Sequence, residues 1–436
     1  MILPTRRLAI ALACAAPLAL LGYVTPWGLD ILLAADALLL GLAYADALLA
    51  VDPSRIDLTR EAPSSLSIGR PGAAQYRWKN AGPRDARLVI RESWPVVIGG
   101  PQQPRALRVA AGGTLAENLT IAPVRRGRDS GGTLSMRSVG PLGLGMRQGQ
   151  RAVPWEVTVM PALPASRLRA TIGRSTRRQP GVHRMRRLGA GQSFERLRDW
   201  VPGDDIRAID WKATARRRKP TTRQYEEERR QQVLLVLDAG RLMAAESGGV
   251  PMMEYAVRAA VDLAFAAYHH DDDVGVLVFG AGVEHYVAPQ RGRRGLHGIM
   301  EVLAIAQPTL DEPDYPGAFR YLAMRNRKRA LTVFIGDLID RGASEALVAA
   351  VGSLRPRHLP LAVTLRNPEI DAAAVRRSTN PQEAWRRAAA EELLAARGGA
   401  VALMRRSGIV VLDTPPARAG EAAVTAYLEM KRRGRL

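Results

Sequence analysis

The chain has 436 residues, 47% of them apolar, enough for two or three domains of ~100–200 residues each. Its one cysteine, Cys14, excludes an internal disulfide and a cysteine-based zinc site. The formal net charge of +21 favours anionic partners, but an aromatic share of 5% makes a thin stacking platform for bases, so nucleic acid is not the expected partner.

Leu8 to Val24 carries no charge and follows Arg6 and Arg7. Thr25-Pro26-Trp27-Gly28 interrupts the run, and Ile31 to Val51 is apolar again apart from Asp36 and Asp46. A membrane span needs ~17–25 apolar residues, and both segments reach that length. An aspartate at the centre of a span costs ~2.5–3.5 kcal/mol on insertion scales. The second segment therefore calls for a neighbouring helix that shields Asp36, with Asp46 placed near the headgroups. No Lys or Arg occurs between Arg7 and Arg55, so residues 1–52 are expected to form a two-helix transmembrane hairpin with both ends in the cytoplasm. Residues 8–51 would then meet the bilayer, and the chain would be a multi-pass protein of the inner (cytoplasmic) membrane. The rival reading is a signal peptide with Arg6-Arg7 and an apolar stretch to Leu21. No small-x-small cleavage site follows at the right distance.

Residues 53–161 change character. Short alternating runs (Ile56-x-Leu58, Leu66-x-Ile68, Tyr76-x-Trp78, Leu88-x-Ile90, Leu119-x-Ile121, Val157-x-Val159) are separated by Gly, Pro, Asn and Asp. That spacing predicts an all-β sandwich. No catalytic constellation occurs in it. Residues 162–231 combine an arginine-rich linker with a dense charged stretch. The arginines of the linker, such as Arg174, Arg177 and Arg184, read either as phosphate contacts or as a solvated, acid-paired segment, and the second is commoner.

Within that charged stretch, Pro202-Gly203 signals a turn, and Asp204 or Asp205 then caps a short helix with Ile206, Ile209 and Ala213 on one face. Asp204, Asp205, Arg207, Asp210, Lys212 and Arg216 lie on its other faces, spaced for local ion pairs. Lys219-Pro220 stops the helix, and Thr221 to Tyr225 is extended. The stretch reads as a polar wrapper that docks one domain on another, burying Phe194, Trp200 and Trp211.

From residue 232 to 436, strands alternate with helices. Val233–Leu237, Val274–Phe279, Leu331–Ile335, Leu361–Leu365 and Ile409–Leu412 are apolar runs too short for helices. Helical spacing joins Met253 to Tyr268, Leu296 to Leu303, Phe319 to Ala323, Trp385 to Ala396 and Ala422 to Met430. The order predicts a doubly wound α/β domain with a parallel sheet. Asp238 and Asp337 each follow an apolar strand, at the carboxyl edge where such folds place their sites.

The ordered run Phe194-x3-Arg198-x3-Pro202-Gly203-Asp204-Asp205-x-Arg207-x-Ile209-Asp210-Trp211-Lys212-x3-Arg216, then Arg223-x3-Glu227 and a strand ending in Asp238, resembles the bacterial family catalogued as domain of unknown function 58. Gly140-Pro141-Leu142-Gly143-Leu144, Asn367-Pro368-Glu369 and Tyr427-Leu428-x-x-Lys431 resemble further parts of that family, so the likeness covers most of the chain. It implies a von Willebrand factor A-like α/β domain and a MoxR-type AAA+ ATPase as partner. It also implies a metal-ion-dependent adhesion site, Asp-x-Ser-x-Ser with a later Thr and Asp, in which hard oxygens hold Mg²⁺. Here the Ser positions are Gly240 and Leu242, and the Thr position is Pro313. Asp238 and Asp337 are left as a degenerate pair, too few for tight binding, so no cofactor is expected.

No enzyme signature competes. There is no Walker A, no GxSxG, no HExxH and no Gly-rich dinucleotide turn. His269-His270 before Asp271-Asp272-Asp273 reads as a polar helix end entering a turn. The leading expectation is a non-enzymatic, membrane-anchored scaffold that works with a MoxR-type ATPase in assembling or maturing a complex. The alternative is a basic protein that binds nucleic acid or anionic lipid through its net charge.

Overall fold

A computed structural model describes residues 1–23, 27–100, 103–164, 168, 193–201, 206, 209–226, 231–338 and 341–434. The chain divides into two compact units, Met1–Leu163 with Leu303–Ala306, and Pro164–Val302 with Gln307–Leu436.

The first unit is rich in β-structure. Its strands are β1 (Ile2–Pro4), β2 (Ile56–Glu61), β3 (Ser65–Ser67), β4 (Gly72–Asn80), β5 (Ala86–Ser93), β6 (Ile98–Gly99), β7 (Arg105–Val109), β8 (Thr114–Pro123), β9 (Gly127–Val139) and β10 (Gly145–Met160). One sheet runs β1-β10-β9-β5-β7, with β3 paired to β10, and the other runs β2-β4-β8-β6. Every second residue of β4 from Ala74 to Asn80 is buried, as the alternation of a half-buried strand requires. Tyr76, Trp78, Leu88, Ile90, Ile121, Leu134 and Val157 meet in one core drawn from both sheets. The sheets are also joined by a buried charge network. The Arg60 guanidinium on β2 donates to Glu92 on β5 at 2.6 Å, and the Tyr76 hydroxyl on β4 donates to the same carboxylate at 2.8 Å.

The N-terminal apolar segment is α1 (Arg6–Ala15), a 3₁₀ continuation over Ala16–Tyr23, and α2 (Gly28–Leu49). The expected single first span from Leu8 to Val24 is therefore corrected: Pro17 has no N–H to give and its ring crowds the preceding turn, so the α-helix gives way there. Among the described residues, one helix is long and apolar enough to cross a membrane, within Gly28–Arg55. The 3₁₀ segment and α1 both lie against α2.

Asp46, expected among headgroups, is instead sealed by protein and fully buried. Its carboxylate accepts backbone N–H groups of Leu142, Leu144 and Gly145 at 2.7, 2.7 and 3.0 Å. The sequence Gly140–Gly145 makes this possible, because a Cβ at Gly145 would lie 2.1 Å from the Ala43 carbonyl and one at Gly140 would collide with Asp46. The same loop receives α1: the Thr5 hydroxyl donates to Gly143 O at 2.6 Å and accepts from Leu8 N. Both apolar helices thus leave the β-unit from one loop.

The second unit holds a six-stranded sheet, ordered β17-β16-β13-β18-β19-β20. These are β13 (Gln232–Asp238), β16 (Asp273–Phe279), β17 (Val283–Gln290), β18 (Ala330–Gly336), β19 (Leu359–Leu365) and β20 (Val410–Thr414). All neighbours are parallel except β17, which runs against β16 at the edge. A two-stranded ribbon of β14 (Glu246–Ser247) and β15 (Val250–Pro251) precedes α4 (Met252–His269). The helices that follow are α5 (Gly292–Ile305), α6 (Tyr315–Arg325), α7 (Arg341–Gly352), α8 (Pro368–Val375), α9 (Pro381–Arg406) and α10 (Ala419–Arg432). Leu234, Val236, Phe334 and Ala362 face α6, α7 and α9, while α4 and α10 cover the other face. Strand order therefore reverses between β13 and β18, which is where a doubly wound sheet opens a crevice.

The amino-terminal edge of the sheet is closed by the Tyr427-Leu428-x-x-Lys431 motif. Asp272, 2% exposed, receives the Tyr427 hydroxyl at 2.5 Å and the Lys431 ammonium at 2.6 Å. Burial and the neighbouring Asp272 charge push the Tyr427 phenol far above its ordinary range. Lys431→Met should lower stability by about 3–5 kcal/mol, because an uncompensated buried charge remains. Thermal unfolding that matches the parent would rule out this ion pair as the lock.

Candidate functional site at the carboxyl edge

Asp238 ends β13 and Asp337 directly follows β18, and the two strands are hydrogen-bonded neighbours, so both carboxylates emerge together at the switch point. They are 1% and 2% exposed. Asp238 accepts the Gly240 N–H at 2.7 Å and the Tyr315 hydroxyl at 2.9 Å. Tyr315 opens α6, whose N-cap is Asp314, accepting from Gly317 N. Asp337 accepts the Leu338 N–H at 2.7 Å and the Arg397 guanidinium at 2.5 Å. Arg397, on α9 and itself only 6% exposed, also donates to Leu338 O at 2.9 Å and to Asp413 at 2.7 and 3.1 Å. The Thr364 hydroxyl completes the Asp413 shell at 2.9 Å. One guanidinium therefore holds two carboxylates, one just after β18 and one within β20.

A strap over residues 307–314 covers the ends of β13 and β16. Thr309 N donates to Ala239 O at 2.7 Å, Arg241 N to Asp311 O at 3.0 Å, and Asp314 N to Gly280 O at 2.9 Å. The Pro313 ring packs on Gly240, where an added Cβ would meet Pro313 Cδ at 2.7 Å. The pocket beside Arg397, lined by Leu338, Arg366, Asn367 and Leu394 among others, has a volume of ≈ 10 Å³. That is barely room for one water.

The residues do not fit an adhesion-type metal centre. Asp337 already holds a cationic side chain, Asp238 is bonded to a hydroxyl and a backbone N–H, and Pro313 occupies the third approach. Among the described residues no group of three or more His, Cys, Asp or Glu side chains could hold a metal ion. The expected pair Asp238 and Asp337 thus does meet, but as two internally bonded carboxylates rather than a ligand set. Sequence reasoning missed Arg397, Asp413 and Tyr315.

Burial pushes the Asp238 carboxyl up to about 6, against the pull of the Gly240 N–H and the Tyr315 hydroxyl. Burial raises Asp337 as well, while Arg397 opposes it. The native state then keeps a proton on Asp238 at pH values where the unfolded chain, near 3.9, has lost it. Native proteins binding more protons than unfolded ones lose stability as pH rises. Stability should therefore fall from pH ~4 to ~6 through this group and level off above, with Asp262, likewise raised to about 6 by burial, adding to the slope. Asp238→Asn should remove part of that slope, on the order of 2–3 kcal/mol. Denaturant melts across this range that keep the parent's slope would refute the assignment.

The charged stretch is placed in part. Phe194 and Arg198 lie on β11 (Ser193–Asp199), paired antiparallel with β12 (Thr221–Glu226), which carries Arg223. Between them, α3 (Trp211–Arg217) is capped by Asp210, whose carboxylate accepts Ala213 N at 3.0 Å. The expected helix beginning at Asp204 or Asp205 lies outside the described residues; Ile206, expected on its apolar face, is 67% exposed, and a separate helix begins at Trp211. Trp211, expected buried, is 68% exposed at the first position of this short helix, and Arg216 is exposed on the same helix. Trp200 is half-buried. Pro202, Gly203, Asp204, Asp205, Arg207 and Glu227 lie outside the described residues.

Residues 196–373, from β11 into α8, match the family described as protein of unknown function DUF58. This chain carries a DUF58 domain. The matched segment includes Asp238, Tyr315 and Asp337 and ends before Arg397, Asp413 and Lys431. Uncharacterized proteins of Mycobacterium bovis and Mycobacterium tuberculosis are 26% identical over 263 residues, 57% of this chain and 82% of theirs. Among solved structures, the CARDB domain of a Pyrococcus furiosus protein in complex with di-metal ions aligns at 10% identity and TM-score 0.17, covering 24% of this chain and 86% of that one. Escherichia coli alpha-2-macroglobulin activated by porcine elastase aligns at 16% identity and TM-score 0.20, over 26% and 10%. Scores that low carry no argument about fold or ligand.

Proposed function

We propose that the chain is a non-enzymatic adaptor, anchored in the cytoplasmic membrane by an N-terminal hairpin, that presents a von Willebrand factor A-like domain to a MoxR-type AAA+ ATPase. The observation that carries this reading is the closed carboxyl edge. Among the described residues its two carboxylates are taken up by Tyr315 and Arg397, with Pro313 packed on Gly240 beside Asp238, an arrangement that supports a binding surface. The reversed strand order with an antiparallel edge strand supports the A-like fold.

Helix lengths support the hairpin. The 22 residues of α2 rise about 33 Å at ~1.5 Å each. The 10 residues of α1 and 8 of the 3₁₀ segment rise about 31 Å at ~1.5 and ~2.0 Å each. Both suit a hydrocarbon core of ~30 Å, and both are tied to the loop Gly140–Gly145. Arg6 and Arg7 at that end, with no basic residue in α2, favour a cytoplasmic β-unit.

A photo-crosslinker at Leu310, 83% exposed on the strap, tests the partner in native membranes. A MoxR-type AAA+ ATPase should dominate the adducts. Adducts without any AAA+ ATPase would overturn the partnership.

A further inference from the structure

The loop that grips Asp46 also presents an exposed leucine at a defined height along α2. Leu142 N bonds to Asp46, and the Leu142 side chain is 56% exposed. Two residues before Asp46 on the helix stands Tyr44, 58% exposed, and at the helix's other end Trp27 is 67% exposed. Their 17-residue separation is about 26 Å at ~1.5 Å per residue, close to the ~30 Å hydrocarbon thickness at whose borders Trp and Tyr collect. Leu142 is therefore level with one aromatic border.

Cations surround the same loop. Arg6 and Arg7 open α1 and are exposed; the position a Cβ would take on Gly143 lies 3.0 Å from the Arg7 guanidinium. The exposed Arg84 donates to Leu49 O at the end of α2, and the exposed Arg87 donates to Pro141 O. Each of these two contacts uses one N–H of a guanidinium that has five. Carboxylates near this ring are engaged elsewhere. Asp46 is sealed by backbone N–H groups, Asp52 meets Arg147 at 3.3 Å, and Asp85 meets Arg108 at 2.8 Å.

We propose that this face of the β-unit is itself a membrane-docking surface, resting on the hairpin reading above. Leu142 inserts at the boundary between headgroups and acyl chains, while Arg6, Arg7, Arg84 and Arg87 bind the phosphates of anionic lipids. A sealed Asp46 is what lets the loop approach, because an open carboxylate at that level would repel the phosphates. The β-unit is then held flat on the leaflet and does not swing from its anchor.

Site-directed spin labelling of the full chain tests this. With Cys14→Ser as background, labels are placed at Leu142→Cys, at Leu33→Cys on α2 between Trp27 and Tyr44, and at Leu310→Cys as a solvent control. The chain is reconstituted in bilayers with and without phosphatidylglycerol in phosphatidylcholine. The expected result is an oxygen-to-nickel accessibility ratio at Leu142→Cys several-fold above that at Leu310→Cys, falling when phosphatidylglycerol is omitted or when Arg6→Gln and Arg87→Gln are introduced. A lipid signal at Leu33→Cys with an aqueous one at Leu142→Cys overturns the docking surface and spares the hairpin. An aqueous signal at Leu33→Cys overturns the hairpin and the docking surface with it. Immersion of Leu142→Cys that is indifferent to phosphatidylglycerol and to both arginine changes overturns the anionic-lipid part.

Discussion

Arg397→Met should lower the unfolding temperature of the α/β unit by roughly 10 °C. Removing one partner of a buried ion pair costs about 3–5 kcal/mol, because the remaining charge stays in a medium that cannot solvate it. Here the loss strands both Asp337 and Asp413, and Asp337 is 2% exposed with only the Leu338 N–H left to it among the described residues. A unit of about 200 residues loses ~2–4 °C per kcal/mol, which gives the figure above. Arg397→Lys should recover only part of the loss. An ammonium carries the charge but not the planar fork that reaches Asp337, Leu338 O and Asp413 at once. Acid should shrink the deficit of Arg397→Met, since stranded carboxylates that take up a proton are no longer buried charges. Calorimetry of the purified full chain across pH decides the matter. A variant that melts with the parent at neutral pH would mean that the guanidinium is a passenger at this edge.

The contrast between Asp337 and Arg397 shows where the sequence was readable. Strands β13, β18 and β19 are buried on both faces, so they stand out as unbroken apolar runs, and a carboxylate after such a run is a positional signal. Arg397 gives no such signal. It is one of several arginines in α9, a helix of Ala, Arg and Glu, and its partner Asp337 lies 60 positions away. Strand β9 was missed for a related reason: its buried alternation of Leu134, Met136 and Ser138 sits among Gly, Ser, Thr and Arg, too polar to show the period of two. Strand β17 hides likewise, because only one of its faces is covered. Trp211 misled in the other direction. An indole among charges suggested a buried anchor, but Asp210 caps a helix whose first residue is Trp211, and the indole there is exposed.

Asp46 was legible as an anomaly and illegible as a clamp. The donors that satisfy it are backbone N–H groups, which leave no mark in side-chain patterns; only the glycines of Gly140-Pro141-Leu142-Gly143-Leu144-Gly145 hint at a close approach. The clamp should be strong. Hydrogen bonds to a charged group contribute ~1.5–3 kcal/mol each, and buried donors left without an acceptor cost ~1–3 kcal/mol apiece. Asp46→Ala removes the acceptor for the N–H groups of Leu142, Leu144 and Gly145 together, so a loss of about 3–5 kcal/mol is expected after partial relaxation. Asp46→Asn should fall between, since its one carbonyl oxygen can accept twice while its amide donors face other donors. Gly145→Ala attacks the same joint from the other side, by driving a methyl into the Ala43 carbonyl. In detergent or bilayers, hydrogen exchange at the amides of Leu142, Leu144 and Gly145 should accelerate in Asp46→Ala and Gly145→Ala, while β4 and β8 stay protected. Exchange that rises across the whole β-unit would show that Asp46 supports the fold at large and not the joint. Exchange that does not change would mean that α2 is tethered to the β-unit by its chain alone.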